Sequence, residues 1–245
     1  MDITLLMLLS AAFFISAFIK GLTGLGFSTT CLGILALSLD IKTAIPLVII
    51  PSVTSNIVTM YRAGHFRETV VRFWPMLICT IPGLLIGIWL LTRLDTLVSG
   101  AALGIILIGY AIFALLNPAF TLPVNVQRPL AMPSGFITGL INGTTGSQVM
   151  PVLPYLMSLQ LDNNRFVQAI NCSFTLSSLI LAATLMNIGY MNSGHILSSV
   201  IGLIFVFIGV QAGTVIRQKL STELFRKIIL IFLIILGSGL LMKLL

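Results

Sequence analysis

Lys20-Gly21-Leu22-Thr23-Gly24-Leu25-Gly26 and, 122 positions further on, Asn142-Gly143-Thr144-Thr145-Gly146-Ser147 are two versions of one motif. Each interrupts an apolar run near its middle with glycines and hydroxyl residues. Non-helical backbone at membrane depth must be buried in protein or line a polar cavity, because lipid offers its N–H and C=O groups no partner. A pair of interrupted segments at matching places in two halves of a chain is the strongest sequence pointer to a substrate site inside a membrane.

The rest of the chain is apolar scaffold. Of 245 residues, 58% are hydrophobic and 8% charged, which excludes an ordinary soluble surface. Six apolar stretches, 43–60, 70–91, 97–116, 166–188, 196–216 and 224–245, are each about 18 to 23 residues, enough to cross a hydrocarbon core as helices. The N-terminus has no basic n-region or small-residue cleavage site, so the first apolar segment is expected in the mature chain. All six acidic residues, Asp2, Asp40, Glu68, Asp95, Asp162 and Glu223, fall at segment ends or in loops. No carboxylate relay for protons or sodium is therefore indicated within a span. The net charge of +7 comes from basic residues in short loops between spans, where it orients the chain in the bilayer and does not point to nucleic acid. Cys31, Cys79 and Cys172 are single and widely spaced, the pattern of packing residues and not of a zinc site or disulfide framework.

The second half can be laid under the first. Leu39-Asp40 falls on Leu161-Asp162 at the offset that places Gly21 and Gly24 on Gly143 and Gly146. Small loop insertions then bring Ala44-Ile45 onto Ala169-Ile170, Gly64 onto Gly189, Gly83 and Gly87 onto Gly209 and Gly213, and Arg93-Leu94-Asp95-Thr96 onto Lys219-Leu220-Ser221-Thr222. The chain reads as an internal duplication, 1–116 and 129–245, joined by a Pro-bearing linker, 117–128. Positive charge swaps loops between the halves. Arg62, Arg67 and Arg72 follow the first full span, yet the matching loop 189–195 has no Lys or Arg. Conversely Arg217, Lys219, Arg226 and Lys227 match a loop carrying Arg93 alone. The expected fold is an all-α integral membrane protein of two inverted repeats, each an interrupted helix or hairpin plus three transmembrane helices. If each interrupted segment enters and leaves on one side, both basic loops are cytoplasmic and both termini outside. The stretches 129–141 and 148–160, about 13 residues or roughly 20 Å of helix each, favour hairpins in the second half. The longer 3–19 leaves a full crossing open.

The breaks carry the candidate chemistry. Gly21, Gly24, Gly26, Gly143 and Gly146 permit tight turns and close backbone approach, and Thr23, Ser28, Thr144, Thr145 and Ser147 add hydroxyls. Helices restarting near Phe27 and Gln148 would aim free N–H groups and positive dipole ends at the breaks, which suits an anion. Lys20 is the one basic residue at a break: a counter-charge for an anionic substrate, a cap on the preceding helix's carbonyls, or a snorkelling side chain. Asn142 and Gln148 offer amides at the second break. Ser52, Thr54, Ser55 and Asn56, with Asn171, Ser173 and Thr175, are candidate cavity walls or helix-to-helix glue. Gly83 to Gly87 and Gly209 to Gly213 have the spacing of helix contacts. The glycine run 21–28 lacks the Gly-Lys-Ser/Thr ending of a phosphate loop.

These residues resemble the sulfite exporter TauE/SafE family of membrane permeases: the Gly-rich stretch 21–26 after the first apolar run, its echo 143–147, the order of spans and a length near 250. Leu25, Phe27 and Ser147-Gln148 depart from the family's commonest run of consecutive glycines. The resemblance implies export of sulfite, sulfonated organic acids or related sulfur-containing anions. Together with the residues it gives an anion transporter of the cell membrane working by alternating access, with Lys20, Gly21, Thr23, Gly24, Gly26 and Ser28 facing Asn142, Gly143, Thr144, Thr145, Gly146, Ser147 and Gln148 across the substrate. A passive anion channel is the alternative. A scaffold without flux gains nothing from broken helices, and no constellation for an intramembrane enzyme is present. The expected partners are a small anionic substrate and the lipid bilayer, with a homodimer left open; no cofactor, metal or nucleic acid is expected.

Overall fold

The computed structural model describes residues 3–117, 120–217 and 222–243, and among them only helices. In chain order these are α1 (Ile3–Thr23), α2 (Phe27–Ala36), α3 (Ile41–Ala63), α4 (Phe66–Arg93), α5 (Thr96–Leu116), α6 (Val124–Thr145), α7 (Val152–Ser158), α8 (Asn163–Asn187), α9 (Ser193–Arg217) and α10 (Thr222–Met242). Asp40, Asp95 and Asp162 each cap the helix that follows, accepting from the N–H groups of Thr43, Leu97, and both Asn164 and Arg165. These bonds, that from the Arg165 N–H first, hold the Asp162 carboxyl below its ordinary range.

Among the described residues six helices are long and apolar enough to cross a membrane: α1, α3, α4, α5, α8 and α9. The chain is a multi-pass membrane protein. Its outer faces suit lipid. On α4 the side chains of Trp74, Ile78, Leu85 and Trp89 form one exposed stripe at helical spacing, while Met76, Leu84 and Leu91 lie on the buried face.

α1 is itself long and apolar enough to cross, the full crossing that the sequence left open, and the apolar stretch 224–245 falls in α10. The structure departs from the sequence expectations in two places. In the second half the helix before the break has 22 residues, from Val124 to Thr145, not about 13. It starts within the expected linker and runs through Pro129, which the sequence reading takes as the start of the stretch 129–141, and through Pro133, both of which a packed membrane helix tolerates. The helix after that break begins at Val152 instead of near Gln148 and has only 7 residues. Lys219, Leu220 and Ser221 of the sequence alignment lie outside the described residues.

Hydrogen bonds fix which helix ends meet. α3 ends at Ala63 and α4 begins at Phe66, and Arg165 in the first turn of α8 donates to Glu68 in the first turn of α4 at 2.8 Å. So α3 ends, and α4 and α8 begin, at one end of the bundle. At the other end the Lys42 ammonium donates to Leu94 O, Ser199 to Leu47 O, and Lys243 to Ala36 O. There α3 and α9 begin, while α2, α4 and α10 finish. Helix α1 packs on α9 in the same sense: a Cβ on Gly209 would meet Phe14 O, and one on Gly213 would meet Phe18 O. Helix α6 follows α4 likewise, Gly83 lying on Phe136 and Gly87 on Leu140. Consequently α1 and α2 enter and leave at one end, and α6 and α7 at the other. Helices α5 and α10 cross in opposite senses, with Gly104 on Gly237 and Leu240, and Gly237 on Ile108.

Candidate functional site

The first break is the backbone from Gly24 to Gly26. Helix α1 continues through Lys20 and Gly21 to Thr23, where the Thr23 hydroxyl lies 2.9 Å from Ile19 O and 2.8 Å from Leu25 O. Gly24 and Gly26 take φ of 82° and 86°, the left-handed region that an L side chain enters at a cost. Gly21 has a different task. A Cβ there would strike Val210 O, so it is a packing glycine between α1 and α9.

Helix α2 starts at Phe27 with Gly26 as its cap residue and no side-chain cap. Its first turn therefore presents N–H groups and the positive end of the dipole without a built-in acceptor. Ser28, Thr29 and Thr30 in that turn are 6%, 2% and 1% exposed. A cavity of about 500 Å³ opens beside them. Gly26, Thr29 and Thr30 line its inner end, the exposed Thr23 also lines it, and it runs between α7, α8 and α10 to Leu161 and the exposed Asn163, at the end where α8 begins. Thr29 and Thr30 are absent from the sequence-derived site. The signal was there, two hydroxyl residues directly after Phe27-Ser28, but only the helix start at Phe27 turns them inward.

Lys20 is 4% exposed. Its ammonium donates to Asn56 Oδ1, to Ser55 Oγ at 3.1 Å and to Asn171 Oδ1 at 3.4 Å. The acceptors are themselves held. Ser55 donates its own proton to Ser52 O at 2.9 Å, and the Asn171 amide donates to Val167 O at 2.8 Å, leaving its oxygen for Lys20. Three donors thus meet three neutral oxygens, the arrangement that a charged ammonium needs. No carboxylate pairs with it among the described residues. Of the three readings open from sequence, neither carbonyl capping nor snorkelling describes this geometry. Ser55, Asn56 and Asn171, read as cavity walls, form the cradle of Lys20 instead. Ile19 and Thr23 on α1 and Phe174 on α8 line the cavity, whereas Lys20 and its three partners do not.

The second break is built otherwise. Helix α6 ends at Thr145, and Gly146 takes φ of 74°. A Cβ on Gly146 would meet Ile45 and Leu32 at 2.8 Å. Gly143, like Gly21, is a packing glycine, facing Leu84 O on α4. Thr144 and Thr145 return their hydroxyls to Leu140 O and Ile141 O at 2.9 and 2.7 Å, and Thr145 also accepts from Ser147 N–H. The start of α7 is capped: Val152 N–H donates to Thr138 Oγ1 at 3.0 Å. Gln148 donates to Ser178 Oγ at 2.8 Å. Asn142 and Ser147 are fully buried, and both amide atoms of Asn142, the Ser147 hydroxyl and Gln148 Oε1 have no hydrogen-bond partner among the described residues. None of Asn142 to Gln148 lines the cavity.

Two broken helices, a buried lysine cradled by neutral oxygens and a cavity reaching the first break stand together in this multi-pass membrane protein. The family model described as Sulfite exporter TauE/SafE matches residues 8–240. The chain belongs to that family, and membership implies a membrane exporter of sulfite or a related sulfur anion. No curated protein matches the chain, and no solved structure does.

Proposed function

We propose that the chain is a secondary transporter of the cell membrane that exports a small sulfur-containing anion such as sulfite or an organosulfonate, by alternating access between two inverted repeats, α1–α5 and α6–α10. The observation that carries this reading is Lys20. A buried ammonium with only neutral partners is an uncompensated charge in low dielectric, expensive unless an anion comes to it. The anion would sit between that charge and the uncapped start of α2, with Gly26, Ser28, Thr29 and Thr30 around it.

The opposite senses of α5 and α10, and the opposite ends at which α3 and α8 begin, speak for inverted repeats. Arg62, Arg67, Arg72, Arg128 and Arg165 belong to the end where α8 begins, against Lys42, Arg93 and Lys243 at the other. By the positive-inside rule the cavity then faces the cytoplasm, as expected of an exporter waiting for cargo.

Efflux of labelled sulfite and sulfoacetate from proteoliposomes tests the proposal. Saturable flux with counterflow is the expected result, and Lys20→Met should lower it at least tenfold at equal insertion. Flux that neither saturates nor shows counterflow would make the protein a channel; full flux in Lys20→Met would remove Lys20 from the site.

A further inference from the structure

The cavity is far larger than the ion assigned to it. At about 500 Å³ it matches the volume of some sixteen waters at ~30 Å³ each, whereas sulfite is one sulfur and three oxygens. Its two parts also differ in chemistry. The inner end has Gly26, the uncapped N–H groups of the α2 start, and Thr29 and Thr30, hydroxyl residues 2% and 1% exposed that line the cavity. The remaining length runs between Leu153, Leu156, Phe166, Phe174, Leu230 and Leu233. A hydrated inorganic anion would leave that length to water held against hydrocarbon walls. A ligand with one charged head and an apolar body would use both parts at once.

Resting on the transport reading above, we infer that the cavity takes an organic anion with an apolar body, its sulfonate-like head on Gly26, Thr29 and Thr30 and its hydrocarbon among Leu153, Leu156, Phe174 and Leu233. The substrate class is thereby an amphipathic organosulfonate or a close isostere. Sulfite, where it moves, fills only the inner end.

The test is competition against sulfite efflux in proteoliposomes by straight-chain 1-alkanesulfonates from methane to hexane, beside the uncharged methyl sulfones of the same chains. Each methylene should lower the half-inhibitory concentration about fourfold until the cavity is full, the factor equivalent to ~0.8 kcal/mol per buried CH₂. The sulfones should be at least tenfold weaker than the sulfonates. Thr30→Val should weaken the sulfonates and leave the sulfones unchanged. A flat chain-length series with sulfite flux intact overturns the inference and leaves the transport reading standing. Sulfones as potent as sulfonates also overturn it, making the cavity an apolar slot for lipid tails. Calorimetric binding of the same series to the proteoliposomes, corrected against empty vesicles, needs no flux. The chain-length trend there without any sulfite movement supports the cavity assignment and defeats the proposed sulfite transport; no binding and no flux defeats both.

Discussion

The two broken helices begin from one sequence pattern and end as different objects. At the first break the backbone from Thr23 to Gly26 is exposed or half-buried, α2 starts uncapped, and a cavity reaches it. At the second, the backbone from Thr145 to Val149 is buried, the start of α7 is capped by Thr138, and the surrounding polar side chains are sealed away from the cavity. One is open and charged, the other closed and neutral. Two halves with one sequence pattern thus pack differently, the asymmetry that the alternating access proposed above would require of any one state. The unpartnered atoms of Asn142, Ser147 and Gln148 are the cost of the closed half, each of order 1–3 kcal/mol when left without a hydrogen bond.

After the loss of flux expected for Lys20→Met, the largest test of this contrast compares two left-handed glycines. Gly146→Ala adds a Cβ against Ile45 and Leu32 in a strained conformation, and should destabilise by about 2–4 kcal/mol. Gly24→Ala carries the strain alone, since nothing lies within 4 Å of its added Cβ, and should cost about 1–2 kcal/mol. Melting midpoints in detergent read both, and equal shifts would mean that the two breaks are equally packed. Next, Thr138→Val removes the cap on Val152 and should cost about 1 kcal/mol in the same assay. An unchanged midpoint would mean that α7 starts as freely as α2. The smallest effect should come from Ser147→Ala, which deletes a buried hydroxyl without a partner and should be neutral or stabilising by up to about 1 kcal/mol, with sulfite flux kept. Lost flux there would bring the second break into the substrate site in the state shown here.

Much of the fold was legible in the sequence because hydrocarbon solvent leaves few options. Apolar runs long enough to span became α3, α4, α5, α8 and α9, and capping aspartates stood at the starts of α3, α5 and α8. The glycines Gly83, Gly87, Gly209 and Gly213 read as helix contacts and lie against backbone of α6 and α1. What misled was proline and polarity. Residues 124–128 carry Asn125, Gln127 and Arg128, a linker by composition, yet they form the first turns of α6 at the arginine-rich end of the bundle, where polar side chains meet no hydrocarbon penalty. In the candidate site, glycine as a residue type could not distinguish its two uses. Gly24, Gly26 and Gly146 turn the chain, whereas Gly21 and Gly143 sit in regular helix to let a neighbour's backbone approach.

The sequence by itself determined that the chain crosses a membrane, where its apolar runs are interrupted twice, and that the one basic residue within those two motifs is Lys20, because each of these follows from local composition and the absence of water in lipid. Tertiary structure alone decided which oxygens hold that lysine and which break is open. Ser55 and Asn56 come from α3 and Asn171 from α8, 35 to 151 residues away along the chain. The cavity likewise exists only where α2, α7, α8 and α10 leave space among themselves. Contacts between distant segments and the volume they fail to fill are properties of packing, and no local pattern encodes them.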